Sequence, residues 1–183
     1  MKWGSRYGPS FVNRLFKSIK RHTTRKTRLI CFTDDNTDID TEIQCDKLPP
    51  INLPAQINNT PWRKISIWQD PLSDLRGDIL FLDLDLVITG DLDRFFDYKP
   101  GSYCVIENWT QKGLGIGNTS CFRFPIGKYS YIFSRFQNDP KKIWKEFHIE
   151  QNYLSDQIKE QVFWPEQWCL SFKHNLLPCL LYT

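Results

Sequence analysis

The sequence predicts an α/β domain in which helices flank a mixed sheet, and two observations support this prediction. Apolar residues recur with helical spacing at 10–22, and short strand-like apolar runs follow at 28–33 and 79–82. Both runs end in acidic residues, and the later one is followed by Asp83 and Asp85. Acidic side chains at strand ends are typical of the ligand-facing edge of an α/β sheet. We therefore expect a ligand site at that edge.

The other elements follow from the same patterns. Ser10 is expected to cap the first helix, which carries apolar side chains on one face. A second helix is expected at 61–69, and strands are expected at 103–106 and 120–124. Helical patterns then cover about 127–161. This alternation has no internal repeat and indicates one domain, spanning 1–183.

Composition and length limit the class of protein. Hydrophobic residues make up 40% of the 183 residues, which favours a folded domain with one core. No apolar stretch approaches the roughly 20 residues that cross a bilayer, and the first residues lack the apolar core of a signal peptide. We expect a cytoplasmic protein without a transmembrane segment, and peripheral membrane contact stays open.

Charge is unevenly distributed along the chain. Nine Lys and Arg residues precede Asp34, and no acidic residue does. Several of these basic residues fall on the polar face of the first predicted helix, where a solvated surface is their ordinary role. We therefore expect no nucleic acid as a partner.

The cysteines are expected to be free thiols. No two of them have C-x-x-C spacing, and three lie within strand-like apolar runs. The six positions are Cys31, Cys45, Cys104, Cys121, Cys169 and Cys179.

Asp83 and Asp85 are the strongest candidates for a metal site. Residues two apart in a strand share one face, so the two carboxylates are expected side by side after a buried strand. Two neighbouring negative charges in a partly apolar setting are costly unless a cation offsets them. Mn²⁺ or Mg²⁺, which prefer oxygen ligands, would do so and keep positions for phosphate oxygens. The alternative is an ordinary solvated exit from a strand.

Two further motifs have simpler interpretations. Asp91 and Asp93 repeat the D-x-D spacing after Gly90, but this pair is expected to cap a short helix. The glycine-rich segment 113–118 is a weak phosphate-binding signal, and a loop near a ligand or a hairpin turn fits it equally.

A series of segments resembles bacterial glycosyltransferases related to glycosyltransferase family eight, which have a GT-A fold. The resemblance runs in order through most of the chain, and the D-x-D block is its most specific part. The segments are KWGSRYGPSFVNRLFKSIKRH, RLICFTDD, PWRKISIW, ILFLDLDLVITGDLDRFF, LSDQ and WCLSFKH.

The resemblance implies a function and a metal centre. It implies metal-dependent transfer of a sugar, with retention of configuration, from a nucleotide sugar such as a UDP-sugar to a glycan or another acceptor, as in polysaccharide biosynthesis. Asp83 and Asp85 would bind Mn²⁺ or Mg²⁺ and, through it, the donor diphosphate. His174 would be a third metal ligand.

The resemblance also implies roles around the donor. Asp156 and Gln157, expected in the N-terminal region of a helix, would lie near the anomeric carbon of the sugar as the catalytic pair. Lys64 and Lys173 would be basic residues that contact the donor.

The nucleoside is implied to lie against the N-terminal segment. Trp3 and Tyr7 would offer rings that stack on the base, and Asp34 would reach the base or the ribose.

Two departures from the family pattern keep alternatives open. The family's first strand normally precedes the KWG motif, where this sequence has only Met1, so a shortened first strand is expected. The chain also continues only briefly after His174. A non-catalytic nucleotide-sugar-binding remnant is therefore one alternative. A phosphohydrolase of the haloacid dehalogenase type, which also uses a D-x-D after a strand, is another.

Overall fold

The computed structural model describes residues 1–176 and confirms an α/β chain with a mixed sheet. Cys179 lies outside the described residues. The helices are α1 Pro9–Arg21, α2 Asp93–Asp97, α3 Tyr131–Asn138, α4 Pro140–Phe147 and α5 Glu150–Gln157. The strands are β1 Ile30–Thr33, β2 Gln44–Lys47, β3 Asp78–Leu82, β4 Cys104–Glu107, β5 Gly117–Pro125 and β6 Val162–Phe163. Short 3₁₀ helices are Ala55–Ile57, Pro61–Trp68 and Glu166–Trp168, and a π-helical turn is Phe172–Leu176.

The strands form two sheets. β1 and β2 are parallel and pair from Ile30 with Gln44 to Thr33 with Lys47. The second sheet has the order β3-β5-β4-β6, in which β5 is antiparallel to both neighbours and β6 is parallel to β4. β1 and β3 are therefore each paired on one side only within their sheets.

Helix α1 packs one apolar face and exposes its basic face, as its spacing predicts. Val12, Leu15 and Ile19 are buried in this face. The expected cap at Ser10 is wrong. Pro9 occupies the start of the helix instead, where its missing N–H costs nothing and its φ suits the first turn.

Strand β3 separates two apolar clusters through its alternating side chains. Phe81 belongs to an aromatic cluster in which Trp68 stacks on Phe124 with ring centroids 4.3 Å apart. Leu80 and Leu82 point to the other cluster, which includes the buried face of α1. Apolar packing therefore supports β3 on both faces where the strand leads into Asp83.

The segment 108–116 joins β4 to β5 as the loop of an antiparallel hairpin. Gly113 and Gly115 have φ angles of 78° and 68°, a region that suits glycine and lets the chain reverse. Of the two interpretations of the glycine-rich segment, the hairpin is confirmed.

Three helices cover the region predicted to be helical between 127 and 161. Asp156 and Gln157 are at the C-terminal end of α5, so their expected placement in a helix N-terminal region is wrong. Within residues 1–176, no helix is both long and apolar enough to cross a membrane.

Candidate functional site

Asp83 and Asp85 follow the end of β3 and lie in a turn. The expectation that both belong to the strand is wrong, because β3 ends at Leu82. Asp83 still continues the ladder, since its N–H donates to the carbonyl of Ser120 at 2.8 Å. Leu84 between them is buried, with 8% of its surface exposed. The apolar side chain turns into the core and leaves the two carboxylates on the other side.

Lys64 neutralises one of these carboxylates. It comes from the 3₁₀ helix 61–68, and its Nζ donates to Oδ2 of Asp83 at 2.7 Å and to the carbonyl of Thr119 at 3.1 Å. The side chains are 7% exposed for Lys64 and 22% exposed for Asp83. Because this ion pair is poorly solvated, loss of either partner would strongly destabilise the folded protein.

Tyr7 contacts the other carboxylate. Its hydroxyl donates to Oδ2 of Asp85 at 2.6 Å. This hydrogen bond, helped by burial and the negative charge, raises the pKa of Tyr7 because ionisation would remove the donated proton. Within the described residues, Oδ1 of Asp83 and Oδ1 of Asp85 accept no hydrogen bond. Each carboxylate therefore keeps one oxygen for a ligand.

The N-terminal segment forms a wall beside the acidic pair. The backbone N–H of Gly4 donates to Oδ2 of Asp34 at 2.8 Å, so the end of β1 holds this segment in place. Gly4 has a φ of 59°, which turns the chain between Trp3 and Tyr7.

These groups line a cleft of about 420 Å³. Its side chains include two carboxylates, the Lys64 ammonium, one guanidinium and two aromatic rings, which is a mixture suited to a charged ligand with a flat ring. Arg6, Asn59 and Thr60 were missed by the sequence interpretation, although Arg6 lies within one quoted segment and the other two directly precede another. The lining residues are Met1, Trp3, Gly4, Ser5, Arg6, Tyr7, Asn59, Thr60, Pro61, Lys64, Asp83, Leu84 and Asp85.

The structure therefore brings five of the predicted site residues into one cleft. These are Trp3, Tyr7, Lys64, Asp83 and Asp85. Asp34 adjoins the cleft through its bond to Gly4.

Asp156 and Gln157 do not line this cleft. Oδ1 of Asp156 accepts from Lys159 at 2.8 Å, and this contact is the main cause of its lowered pKa. Oε1 of Gln157 accepts from Arg135 at 2.7 Å. Both side chains are occupied by contacts at the end of α5.

Lys173 and His174 are exposed in the π-helical turn and do not line the cleft either. Within residues 1–176, no three His, Cys, Asp or Glu side chains form a group able to hold a metal ion. His174 therefore does not join Asp83 and Asp85 in this arrangement.

Glu150 is a buried acid that the sequence interpretation missed. It starts α5 with 6% of its surface exposed, and its Oε1 accepts the hydroxyl hydrogen of Thr119 at 2.6 Å. The carbonyl of the same Thr119 accepts from Lys64. A chain of polar contacts thus connects α5 to the acidic pair. In the sequence, an acid at this position is indistinguishable from an ordinary first-turn residue.

The second D-x-D has a structural role, as expected, although the cap position is Leu92 and not Asp91. Asp91 Oδ1 accepts the N–H of Asp93 at 2.9 Å. Asp93 accepts hydrogen bonds from Thr23 and Thr24, and these lower its pKa to about 2. Asp93 therefore connects α2 to the loop after α1, whereas Asp91 stabilises the turn before the helix.

The donor set of the cleft fits a hard divalent cation that is shared with a ligand. Two carboxylates with one free oxygen each are what Mg²⁺ or Mn²⁺ receives from a protein when phosphate oxygens and water complete the shell. A closed site would need more protein ligands than this cleft offers.

Comparison with known proteins does not identify a family. No protein-family model matches the chain, and no curated protein matches it significantly.

Proposed function

We propose that this chain is a metal-dependent GT-A glycosyltransferase, acting on a nucleotide sugar such as a UDP-sugar and on a glycan or another acceptor. One observation carries the proposal: Asp83 and Asp85 share a cleft with Lys64 and with the rings of Trp3 and Tyr7. Carboxylates that each keep a free oxygen, beside an ammonium group, suit a complex of a cation with a diphosphate.

Three residues of the cleft have defined tasks around the diphosphate in this proposal. Asp83 and Asp85 would hold Mn²⁺ or Mg²⁺. Lys64 stays beside Asp83 and offers positive charge where the leaving diphosphate gains negative charge. When bound, the cation supplies Lewis-acid stabilisation of that diphosphate.

The nucleoside end of the donor belongs against the N-terminal wall. Trp3 offers the flat surface on which a base stacks, a contact worth about 1–3 kcal/mol per base. Asp34 holds this wall through Gly4 at 2.8 Å. The proposal assigns no role in the reaction to the four predicted residues that do not line the cleft, which are Asp156, Gln157, Lys173 and His174.

Release of nucleoside diphosphate from nucleotide sugars tests the activity. The protein is incubated with a panel of UDP-sugars and Mn²⁺, and UDP release is followed with and without a chelator. We expect release that requires the metal, and a loss of about a hundredfold or more in Asp85→Asn, as for a lost transition-state contact. Asp91→Asn is the matched control, since among residues 1–176 the Asp91 side chain bonds only within its own turn.

A second candidate function is binding of a nucleotide sugar without turnover. It is favoured by the contacts of the two carboxylates, since Asp83 accepts from Lys64 and Asp85 accepts from Tyr7. A binding site in which both carboxylates already have such partners can be stable without a reaction. Mn²⁺-dependent UDP binding without UDP release would select this candidate. Hydrolysis of a simple phosphate ester instead of UDP-sugars would select the phosphohydrolase.

A further inference from the structure

Two cysteine thiols contact each other in the apolar cluster that also holds the buried face of α1. Cys121 lies on β5 and pairs with Leu82, the residue before Asp83. Cys169 follows the short helix Glu166–Trp168 and packs into the same cluster as Cys121. Both are free thiols. They come from distant parts of the chain, so no local motif records their contact.

The two thiols differ in acidity. Their direct contact raises the pKa of Cys121 and lowers that of Cys169. These opposite directions mean that Cys121 keeps its proton and donates it toward the sulfur of Cys169, which ionises first. The positive charge of Arg94, whose guanidinium carbon lies 4.6 Å from the centre of the Trp168 ring, also favours the Cys169 thiolate. Cys169 is therefore the better nucleophile of the two.

Access from solvent differs in the same sense. Cys121 has 7% of its surface exposed, whereas Cys169 is half-buried and precedes the exposed Leu170. A small oxidant therefore reaches Cys169 first. An accessible thiolate beside a second thiol is the arrangement that reversible thiol oxidation requires.

We propose that Cys121 and Cys169 are a modification site that a hydroperoxide, such as hydrogen peroxide, converts to a disulfide. The bond links the segment after β6 to β5, the strand that pairs with β3 beside the acidic cleft. This site does not depend on the glycosyl transfer proposed above.

The reaction has two steps and needs no further reactant. The Cys169 thiolate attacks one oxygen of hydrogen peroxide, the O–O bond breaks, and the other oxygen takes the thiol proton and leaves as water. Cys169 is then a sulfenic acid. The sulfur of Cys121 attacks that of Cys169, the S–O bond breaks, and the hydroxide leaves as water with the Cys121 proton. The two thiols lose two electrons, which the peroxide gains.

Mass spectrometry of the whole chain tests the proposal. The reduced protein is treated with stoichiometric hydrogen peroxide, the remaining thiols are alkylated, and the protein is digested with trypsin without reductant. Trypsin places the two cysteines in separate peptides, 113–123 and 160–173, each with no other cysteine. We expect these two peptides, joined by a bond that a reductant cleaves, as the main product. No disulfide, or a main product with another cysteine, would overturn the proposal.

Serine variants distinguish the nucleophile from its partner. Cys121→Ser cannot close the disulfide, so it should accumulate a sulfenic acid at Cys169 that dimedone traps. In Cys169→Ser, the buried Cys121 should be oxidised at least about tenfold more slowly than in the wild-type chain. No trapped sulfenic acid in the first variant, or oxidation of Cys121 at the wild-type rate in the second, would overturn the assignment.

Cys45 provides a matched control. It is half-buried like Cys169 and pairs with Cys31 across β1 and β2, but burial raises its pKa. Cys45→Ser should therefore form the Cys121–Cys169 disulfide within about twofold of the wild-type rate. A disulfide between Cys31 and Cys45 that forms as fast would contradict the role assigned to the Cys169 thiolate.

Thermal unfolding tests whether the fold accommodates the bond. The oxidised wild-type chain should have a Tm at least about 4 °C above that of the reduced chain, because a disulfide restricts the unfolded state. Cys121→Ser, treated in the same way, should show no such rise. An unchanged or lower Tm in protein that holds the disulfide would overturn the proposal.

Discussion

At the scale of single residues, Lys64 is the side chain on which the acidic pair most depends. With only 7% of it exposed, its removal leaves Asp83 with a poorly solvated and unpaired charge. Lys64→Met should lower the free energy of unfolding by about 2–4 kcal/mol. Lys112→Met removes an exposed pair with Glu166 and should cost less than about 1 kcal/mol. Urea unfolding measures both.

The same pair gives a test of cation binding. The double variant Lys64→Met/Asp83→Asn should be more stable than Lys64→Met alone, because the unpaired charge is gone. Added Mn²⁺ should raise the Tm of Lys64→Met more than that of the double variant, since only the single variant keeps both carboxylates. Equal increases would show that the metal binds elsewhere.

Asp156 and Gln157 belong to a motif that predicts a catalytic role, but their position in the structure does not favour that role. Each has a charged partner near the end of α5, and neither lines the cleft. Asp156→Ala and Gln157→Ala should therefore change UDP release by less than about threefold, since neither removes a contact with the donor. A loss of a hundredfold or more, with UDP binding intact, would restore their catalytic role near the sugar.

At the scale of the elements, Asp93 joins α2 to the loop after α1. The hydrogen bond from Thr23, which has the larger effect, and the one from Thr24 lower its pKa from 3.8 to about 2. Because the folded pKa is the lower one, this stabilisation is fully present above about pH 4 and is lost as the pH falls toward 2. Asp93→Asn should lower Tm at pH 5 and flatten its fall between pH 4 and 2. An unchanged acid dependence would contradict this.

Several elements were predictable from the sequence because their signals are local. Helix α1 follows from its apolar spacing, and the strand before Asp83 follows from its apolar run. The prediction of a cap at Ser10 is wrong because Pro9, one residue earlier, already starts the helix. The position of Asp156 within α5 was missed because helix boundaries depend on tertiary packing as well as on propensity.

The candidate site was predictable only where its residues belong to a motif. Asp83, Asp85 and Lys64 stand in such segments, and they meet in one cleft. Glu150 does not stand in such a segment. Its connection through Thr119 to Lys64 depends on the packing of α5 against β5. Contacts of this kind join residues more than 30 positions apart, so no local pattern records them.

At the scale of the whole molecule, the two sheets should behave as separate ladders. The amides of Leu80 and Leu82 point away from β5, whereas that of Phe81 points to β5. We expect the first two to exchange at least about tenfold faster than the third. Comparable protection of all three would show that β3 is hydrogen-bonded along both of its edges.

The central claim concerns the whole cleft, and calorimetry of UDP binding with Mn²⁺ tests it most directly. The wild-type chain and Asp91→Asn should bind UDP only when Mn²⁺ is present, because in the proposed site the diphosphate needs a cation that Asp83 and Asp85 would hold. Asp85→Asn should lose this binding by about a hundredfold or more while keeping its fold, since it removes one of the two charged ligands of the proposed metal site. UDP binding that needs no metal, or an equal loss in Asp85→Asn and Asp91→Asn, would contradict the assignment.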